Sequence, residues 1–153
     1  MMNRIRNIVI IILFNAFAWT SVDPHFVPEY LEFSNNPFLP MALYPTSAML
    51  DGQDLEADDE IGIFDGETCV GAIALTGTIV VPSYIPLIEA STMDGEIPGF
   101  TSGNTISLRF WDLSASTEIS DIVPTYFDIY GNVISAPTFA SSDGYYVSLM
   151  GNT

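Results

Sequence analysis

Eight carboxylates stand within residues 51–67: Asp51, Asp54, Glu56, Asp58, Asp59, Glu60, Asp65 and Glu67. Oxygen ligands at this density suit Ca2+, a hard cation that takes carboxylate and carbonyl oxygens. Asp51, Asp54, Asp58 and Asp59 are the candidate metal ligands. Ca2+ is the one cofactor the residues suggest, and the fold is not expected to require it. The spacing is not that of a helix–loop–helix calcium site, because no glycine occupies the sixth loop position. The competing reading is a solvated acidic loop that keeps the chain soluble and blocks edge pairing.

Provision for catalysis is thin. His25 is the single histidine, Cys69 the single cysteine, and there is no lysine. Without lysine, Schiff-base and lysine-base mechanisms are excluded. A serine or cysteine nucleophile would have to recruit His25 from a proline-punctuated segment. One His, one Cys and carboxylates are far from the usual zinc ligand sets. Paired-carboxylate chemistry survives on inventory alone, but no particular pair is marked. The chain is therefore expected not to be an enzyme. Cys69 has no intramolecular disulfide partner, and it reads either as a buried small hydrophobe or as one half of an intermolecular bridge.

Aromatic side chains are the remaining resource. Tyr84, Trp111, Tyr126 and Tyr145 are the candidate ligand-binding residues, with Tyr130 and Tyr146 beside them. Such rings stack on sugars or on partner side chains, and they equally build sheet cores. Strand alternation puts Ile106, Leu108 and Phe110 on one face and Ser107, Arg109 and Trp111 on the other, so Trp111 faces a second sheet or solvent. Arg109 is expected to pair with a carboxylate or stack on a ring.

Charge narrows the partners. The chain has 153 residues, with 19 Asp plus Glu against 3 Lys plus Arg, a formal charge of −16. So acidic a surface repels phosphate backbones and anionic membranes, which argues against nucleic acid and membrane docking. With 48% hydrophobic and 12% aromatic residues, the composition can build a core.

The elements that must position these side chains follow from the rest of the chain. Arg4 and Arg6, the apolar run from Ile8 to Phe14, and Ala16-Phe17-Ala18 form the pattern of a secretory signal peptide over residues 1–18. Cleavage is expected after Ala18, with the remainder secreted, extracellular or at the cell surface and not inserted in the membrane. Residues 19–40, punctuated by Pro24, Pro28, Pro37 and Pro40, are expected to form an extended N-terminal arm. That arm either pairs with a neighbouring chain, near an edge such as Pro82 to Pro86, or folds back or stays loose. Residues 41–153 are expected to be one β-sandwich domain. Candidate strands are Ala42–Leu50, Glu60–Phe64, Cys69–Leu75, Leu87–Ser91, Thr105–Leu113, Ile122–Ile129 and Tyr145–Met150, separated by Asp-Gly, Ser-Gly and Gly-Asn turn signals. This predicts an all-β, antiparallel sandwich of Ig-like architecture with about seven to eight strands. Pro82 and Pro86 imply that Ile79–Leu87 is an edge or crosses between sheets.

Two blocks carry a family resemblance. Asp58-Asp59-Glu60-Ile61-Gly62-Ile63-Phe64-Asp65-Gly66 with Cys69-Val70-Gly71-Ala72 is the first. Gly99-Phe100, Gly103-Asn104, Ile106 and Leu108-Arg109-Phe110-Trp111-Asp112 is the second. Together they resemble a recurrent β-sandwich module of secreted and surface proteins of Bacteroidota-like bacteria, across roughly Pro37 to Leu149. The resemblance implies a location and a fold, not a reaction. The expectation is a non-catalytic extracellular module for surface attachment or protein assembly. Its alternatives are a carbohydrate-binding module, or a subunit of an extracellular filament or sheath. The expected partner is a protein, a second copy, or a surface glycan.

Overall fold

The computed structural model describes residues 23–153, so the expected leader lies outside the described residues, as do the first residues of the arm. Among the described residues, no helix is long and apolar enough to cross a membrane. A single helical turn, α1 (Tyr30–Phe33), precedes ten strands: β1 (Met41–Leu50), β2 (Gln53–Asp54), β3 (Glu60–Asp65), β4 (Thr68–Ala74), β5 (Ile88–Ala90), β6 (Ser107–Asp112), β7 (Thr117–Ile119), β8 (Ile122–Phe127), β9 (Val133–Ile134) and β10 (Gly144–Gly151). They form an all-β sandwich. One sheet has the order β2-β1-β10-β8-β9, with β5 also pairing β1; the other has the order β4-β3-β6-β7.

Alternation decides which side chains meet between the sheets. Met41 and Leu43 of β1, Val147 and Leu149 of β10, and Tyr126 of β8 point inward from the first sheet. Ile61, Ile63, Leu108 and Phe110 meet them from the second. Phe100 and Phe139 stack within this core at 4.7 Å, their planes 9° apart. A register shift between Pro45 and Ser47 inserts one residue into β1, which keeps Ala48 inward after Met41 and Leu43. The turn chemistry sets the hairpins. Asp51 and Gly52, at φ 50° and 80°, form a two-residue connection of β1 to β2 in which both central residues are left-handed.

The seven expected strands are all present, with ends displaced by at most about two residues. The three additional strands, β2, β7 and β9, are two or three residues long and too short to carry a period. The ladders are antiparallel except one. β1 and β10 run parallel, from Ala42 opposite Gly144 to Leu50 opposite Gly151. Their connection is nearly the whole domain, so no local turn signal could announce the pairing. The Ile79–Leu87 segment crosses from β4 in one sheet to β5 in the other, with a single bridge between Val80 and Tyr84. Gly71 permits the two sheets to approach at that edge: a Cβ there would lie 2.5 Å from the Glu89 carbonyl oxygen.

β3 departs from simple alternation. Glu60 to Phe64 are buried without interruption, so both faces of this strand are covered. The second cover is the N-terminal arm, which lies flat on the outer face of the four-stranded sheet as a partial third layer. Phe26 and Tyr30 are its buried anchors. The contact is made face-on by side chains and carboxylate caps, not by strand addition near Pro82 to Pro86.

Candidate functional site

The acidic segment is dispersed by the fold. Asp51 accepts from the Thr153 backbone N–H at 3.2 Å and hydroxyl at 2.6 Å, and these bonds hold its carboxyl below the usual range. Asp59 is buried and its two oxygens receive the Glu56 and Leu113 backbone N–H groups at 2.8 and 3.0 Å. Asp54 lies on β2 and Asp58 is an exposed residue at φ 72°. Asp51, Asp54 and Asp59 do share a cleft of about 510 Å³ with Asp112, whereas Asp58 does not line it. Asp112 spends its Oδ1 on Ser114 and Ala115, which also holds its carboxyl low. Among the described residues, no group of three or more His, Cys, Asp or Glu is arranged to hold a metal ion. Asp112 accepts within its own turn, and Asp51 and Asp59 also accept across the fold, from Thr153 and Leu113.

A second cluster sits where the arm meets the sheet. Glu60, on the outer face of β3, receives two consecutive backbone N–H groups, from His25 at 2.7 Å and Phe26 at 2.8 Å. The His25 ring stacks on Trp111, and its Nε2 lies 3.0 Å from Glu118 Oε2. Trp111 is opposite Glu118 in the β6–β7 ladder and opposite Glu60 in the β3–β6 ladder, so strand register alone brings these three together. Arg109 donates to Glu67 at 2.7 Å and to Glu118 at 3.0 Å, and its guanidinium lies 4.1 Å from the Phe64 ring centroid. Both readings of Arg109, ion pair and ring stack, hold at once. Cys69 lies on this same outer face and not in the core. Burial pushes its thiol up to about 12, with the Glu60 and Glu29 charges adding to the shift. The cluster has nucleophile, base and acid types: Glu60 and Glu118 bond to the arm, Arg109 pairs with Glu67 and Glu118, and the Cys69 thiol donates to the Gly71 carbonyl of its own strand.

The expected aromatic platform is not assembled as one surface. Trp111 is on the four-stranded sheet beneath His25. Tyr126 points into the core, where burial pushes its hydroxyl up to about 12. Tyr145 packs edge-on against Tyr126 at 6.5 Å and donates to Asp143. Tyr84 lies in the crossing segment, its hydroxyl accepting from the Thr76 N–H. Tyr126 as an open stacking residue is thus corrected: its alternation parity on β8 is inward.

What the fold does assemble is the outer face of the six-stranded sheet. β1, β8, β9 and β10 contain no charged residue, in a chain of formal charge −16. Register lays their outward side chains in rows. Tyr44, Tyr146, Phe127 and Val133 form an aromatic row; Ser47, Ser148 and Thr125 form a hydroxyl row; Met49, Met150 and Val123 form an apolar row. The Tyr44 and Tyr146 rings are 5.4 Å apart and tilted by 42°, and the Ser47 and Ser148 hydroxyls are 2.6 Å apart. Several of these side chains meet water: Val133 is 69% exposed, Val123 57% and Met150 53%. The crossing segment and the β8–β9 turn rise beside the aromatic row and enclose a groove of about 450 Å³, lined by Val81, Ile85, Phe127, Ile129 and Tyr146 among others. The one carboxylate at its rim, Asp128, is turned to its own loop by Asn132 and the Tyr130 N–H, which hold its carboxyl low.

Sequence reasoning did not isolate this face. The usable signal was the absence of charge from four strands of an otherwise acidic chain, which single-residue inspection of aromatics passes over. It also set His25 aside as an arm residue, because a stack onto Trp111 is a long-range contact. Comparison of the chain with protein-family models, with curated proteins and with solved structures found no match.

Proposed function

We propose that this chain is a non-catalytic β-sandwich module, exported to the cell surface or the medium, that attaches to an uncharged partner surface through the outer face of its six-stranded sheet. The observation that carries the reading is the stretch of four strands without a charged residue, β1, β10, β8 and β9, flanked by Asp54 of β2 and Glu89 of β5, in a strongly acidic chain. Exposed apolar side chains gathered on one face mark an interaction site, and here an aromatic row and an apolar row flank a row of hydroxyls. Elsewhere a neutral surface would have to strip water from carboxylates, so these strands are where it can approach without that desolvation cost. The partial commitment of His25, Arg109 and the carboxylates to structural bonds supports the absence of catalysis. The resemblance of the β3–β4 and β6 blocks to a surface module supports the location. The two blocks pair side by side in the four-stranded sheet.

A second reading is a carbohydrate-binding module for a neutral glycan. It is favoured by the aromatic row running beside the Ser47–Ser148–Thr125 hydroxyl row, since sugars offer both ring faces and hydroxyls.

The test is retention on an uncharged polysaccharide matrix and on uncharged hydrophobic beads, at low and high salt. Attachment through this face persists at high salt, because no ion pair is involved. It is lost in Val123→Lys and Met150→Lys, at positions where the melting temperature changes little. Retention on the polysaccharide alone selects the second reading. Binding that salt abolishes, or that both lysine variants leave intact, overturns the use of this face.

A further inference from the structure

The arm and its seat form a built joint, and we infer that the joint is made between copies as well as within one: residues 23–33 of one chain occupy the same seat on a second chain. This is independent of the uncharged face, which lies on the opposite sheet. The seat recognises chemistry that any copy of the arm supplies. Glu60 takes two consecutive backbone N–H groups, Trp111 takes the imidazole face, and Glu118 takes its Nε2. Phe26 fills a notch made by the missing side chain of Gly62: a Cβ there would stand 3.0 Å from the ring. All of these contacts run between residues 25–26 and residues 60–118, so they are the same whichever chain provides the arm.

The tether makes the exchange feasible. From Phe38 onward the chain is fixed to the body, through the Phe38 N–H to Ser91 Oγ at 3.0 Å and the Thr92 N–H to the Phe38 carbonyl at 2.9 Å. Between the fixed arm and this point lie only Ser34 to Pro37. Their hydrogen bonds are local, to Tyr30 and within the turn. A cleft of about 240 Å³ remains between this tether and the body, bordered by Ser91, Asp94 and Ile97. Within the tether, Asn35 is at φ 57°, in the left-handed region. Straightening the tether relaxes Asn35 and swings the arm outward while the Phe38 bonds to Ser91 and Thr92 stay in place; the arm's own bonds to Glu60 and Glu118 are broken and remade on the second chain's seat. In the self-docked form Leu31 and Phe33 of α1 stand in water, Phe33 being 60% exposed; a second body brought against α1 shields them. Each copy gives one arm and offers one seat, so exchange closes a dimer or propagates a chain. The self-docked form holds the advantage of effective concentration, so exchange is favoured where copies are crowded.

The experiment uses the full chain and native mass as a function of concentration. A double variant, His25→Ala with Phe26→Ala, has a crippled arm and an intact seat; Trp111→Ala with Glu60→Gln has the reverse. Exchange predicts that the unaltered chain forms higher species as concentration rises, that each variant alone stays monomeric, and that an equimolar mixture yields a heterodimer. Circular dichroism confirms that both variants are folded. Should either fail to fold, deletion of Asn35 and Asn36 replaces them: the shortened tether disfavours self-docking, so it shifts the chain to dimers or polymers at lower concentration. A chain that stays monomeric with the shortened tether, or a mixture that gives no heterodimer, overturns the inference. So does association that persists unchanged in both double variants, which assigns it to another surface such as the uncharged face.

Discussion

The imidazole of His25 lies flat on the indole of Trp111, ring centroids 3.7 Å apart and planes 7° from parallel. One residue comes from the arm and the other from β6, so the stack is a direct gauge of whether the arm is docked. Its edge is held as well, since His25 Nε2 reaches Glu118 on the neighbouring strand at 3.0 Å.

Trp111→Ala should therefore lower stability by about 1–2 kcal/mol, from the lost ring pair and the apolar area it covers. Urea unfolding measures the loss. Limited proteolysis supplies the specific readout: cleavage at Ser34 to Pro37 should quicken well before the rest of the domain becomes sensitive. Trp111→Phe keeps a ring under His25 and should recover part of both effects. Equal proteolysis in all three chains would show that the stack does not hold the arm.

Gly62→Ala probes the notch beneath Phe26. The new methyl would stand 2.7 Å from the Phe64 ring and 3.0 Å from the Phe26 ring. Overpacking of this kind costs about 1–3 kcal/mol. Because part of the clash is with the arm, the same substitution in a Phe26→Ala background should cost measurably less. A double-mutant cycle by denaturant unfolding reads the difference. Strict additivity would place the strain elsewhere.

Cys69 reports on the same cover from beneath. Its thiol, pushed up to about 12 by burial, is protonated at neutral and mildly alkaline pH. Since the thiolate is the reactive form, a maleimide or iodoacetamide should label the native chain slowly. The Tyr30 hydroxyl is close enough to Cys69 for the thiolate charge to add to the upward shift that burial gives it. Tyr30→Ala should thus raise the labelling rate several-fold while leaving the fold intact. Fast labelling of the unaltered protein would mean that the arm does not cover this face in solution.

The sandwich was legible because its long strands are periodic and its turns are chemically explicit. β6 alternates Leu108 and Phe110 inward against Arg109 and Trp111 outward, and Asp51-Gly52 can hardly be anything but a turn. The parallel pairing of β1 with β10 was not legible, because nothing local distinguishes a strand that pairs across about a hundred residues from one that pairs through a hairpin. Residue type marked Arg109 as ion-paired but not with whom; Glu118 is brought to it by the β6–β7 register and Glu67 by the β3–β4 turn. Tyr126 and Tyr146 are the same residue type in similar strands, yet one faces the core and the other the surface. Only the parity of each strand separates them, and that parity is set by the partner sheet.

The pH dependence of the joint follows from Glu118. Its carboxyl is held below the ordinary value of 4.5, first by the His25 hydrogen bond, which burial opposes, and further by the Arg109 hydrogen bond and charge. Unfolding releases both partners, so near and below the ordinary value the unfolded chain binds the proton more readily than the folded one. Stability then rises with pH through that window. The contribution is complete above about pH 4.5 and disappears as pH falls through the lower folded-state value. Asp51, held low by Thr153, and Asp112 and Asp128, held low by bonds within their own loops, shape the same acid limb, so the total curve cannot isolate Glu118. The difference between the unaltered chain and Glu118→Gln can, because those three carboxyls cancel in it. That difference should be largest near neutral pH and shrink on acidification. It should also shrink in high salt, since the Glu118 side chain is 36% exposed and its pairing with Arg109 is screened. Melting of the two chains, compared from about pH 7 down to about pH 3 at fixed ionic strength, gives the answer. A difference that stays constant across that range would mean that Glu118 contributes through packing alone, and that the carboxylate is not what holds His25 in place.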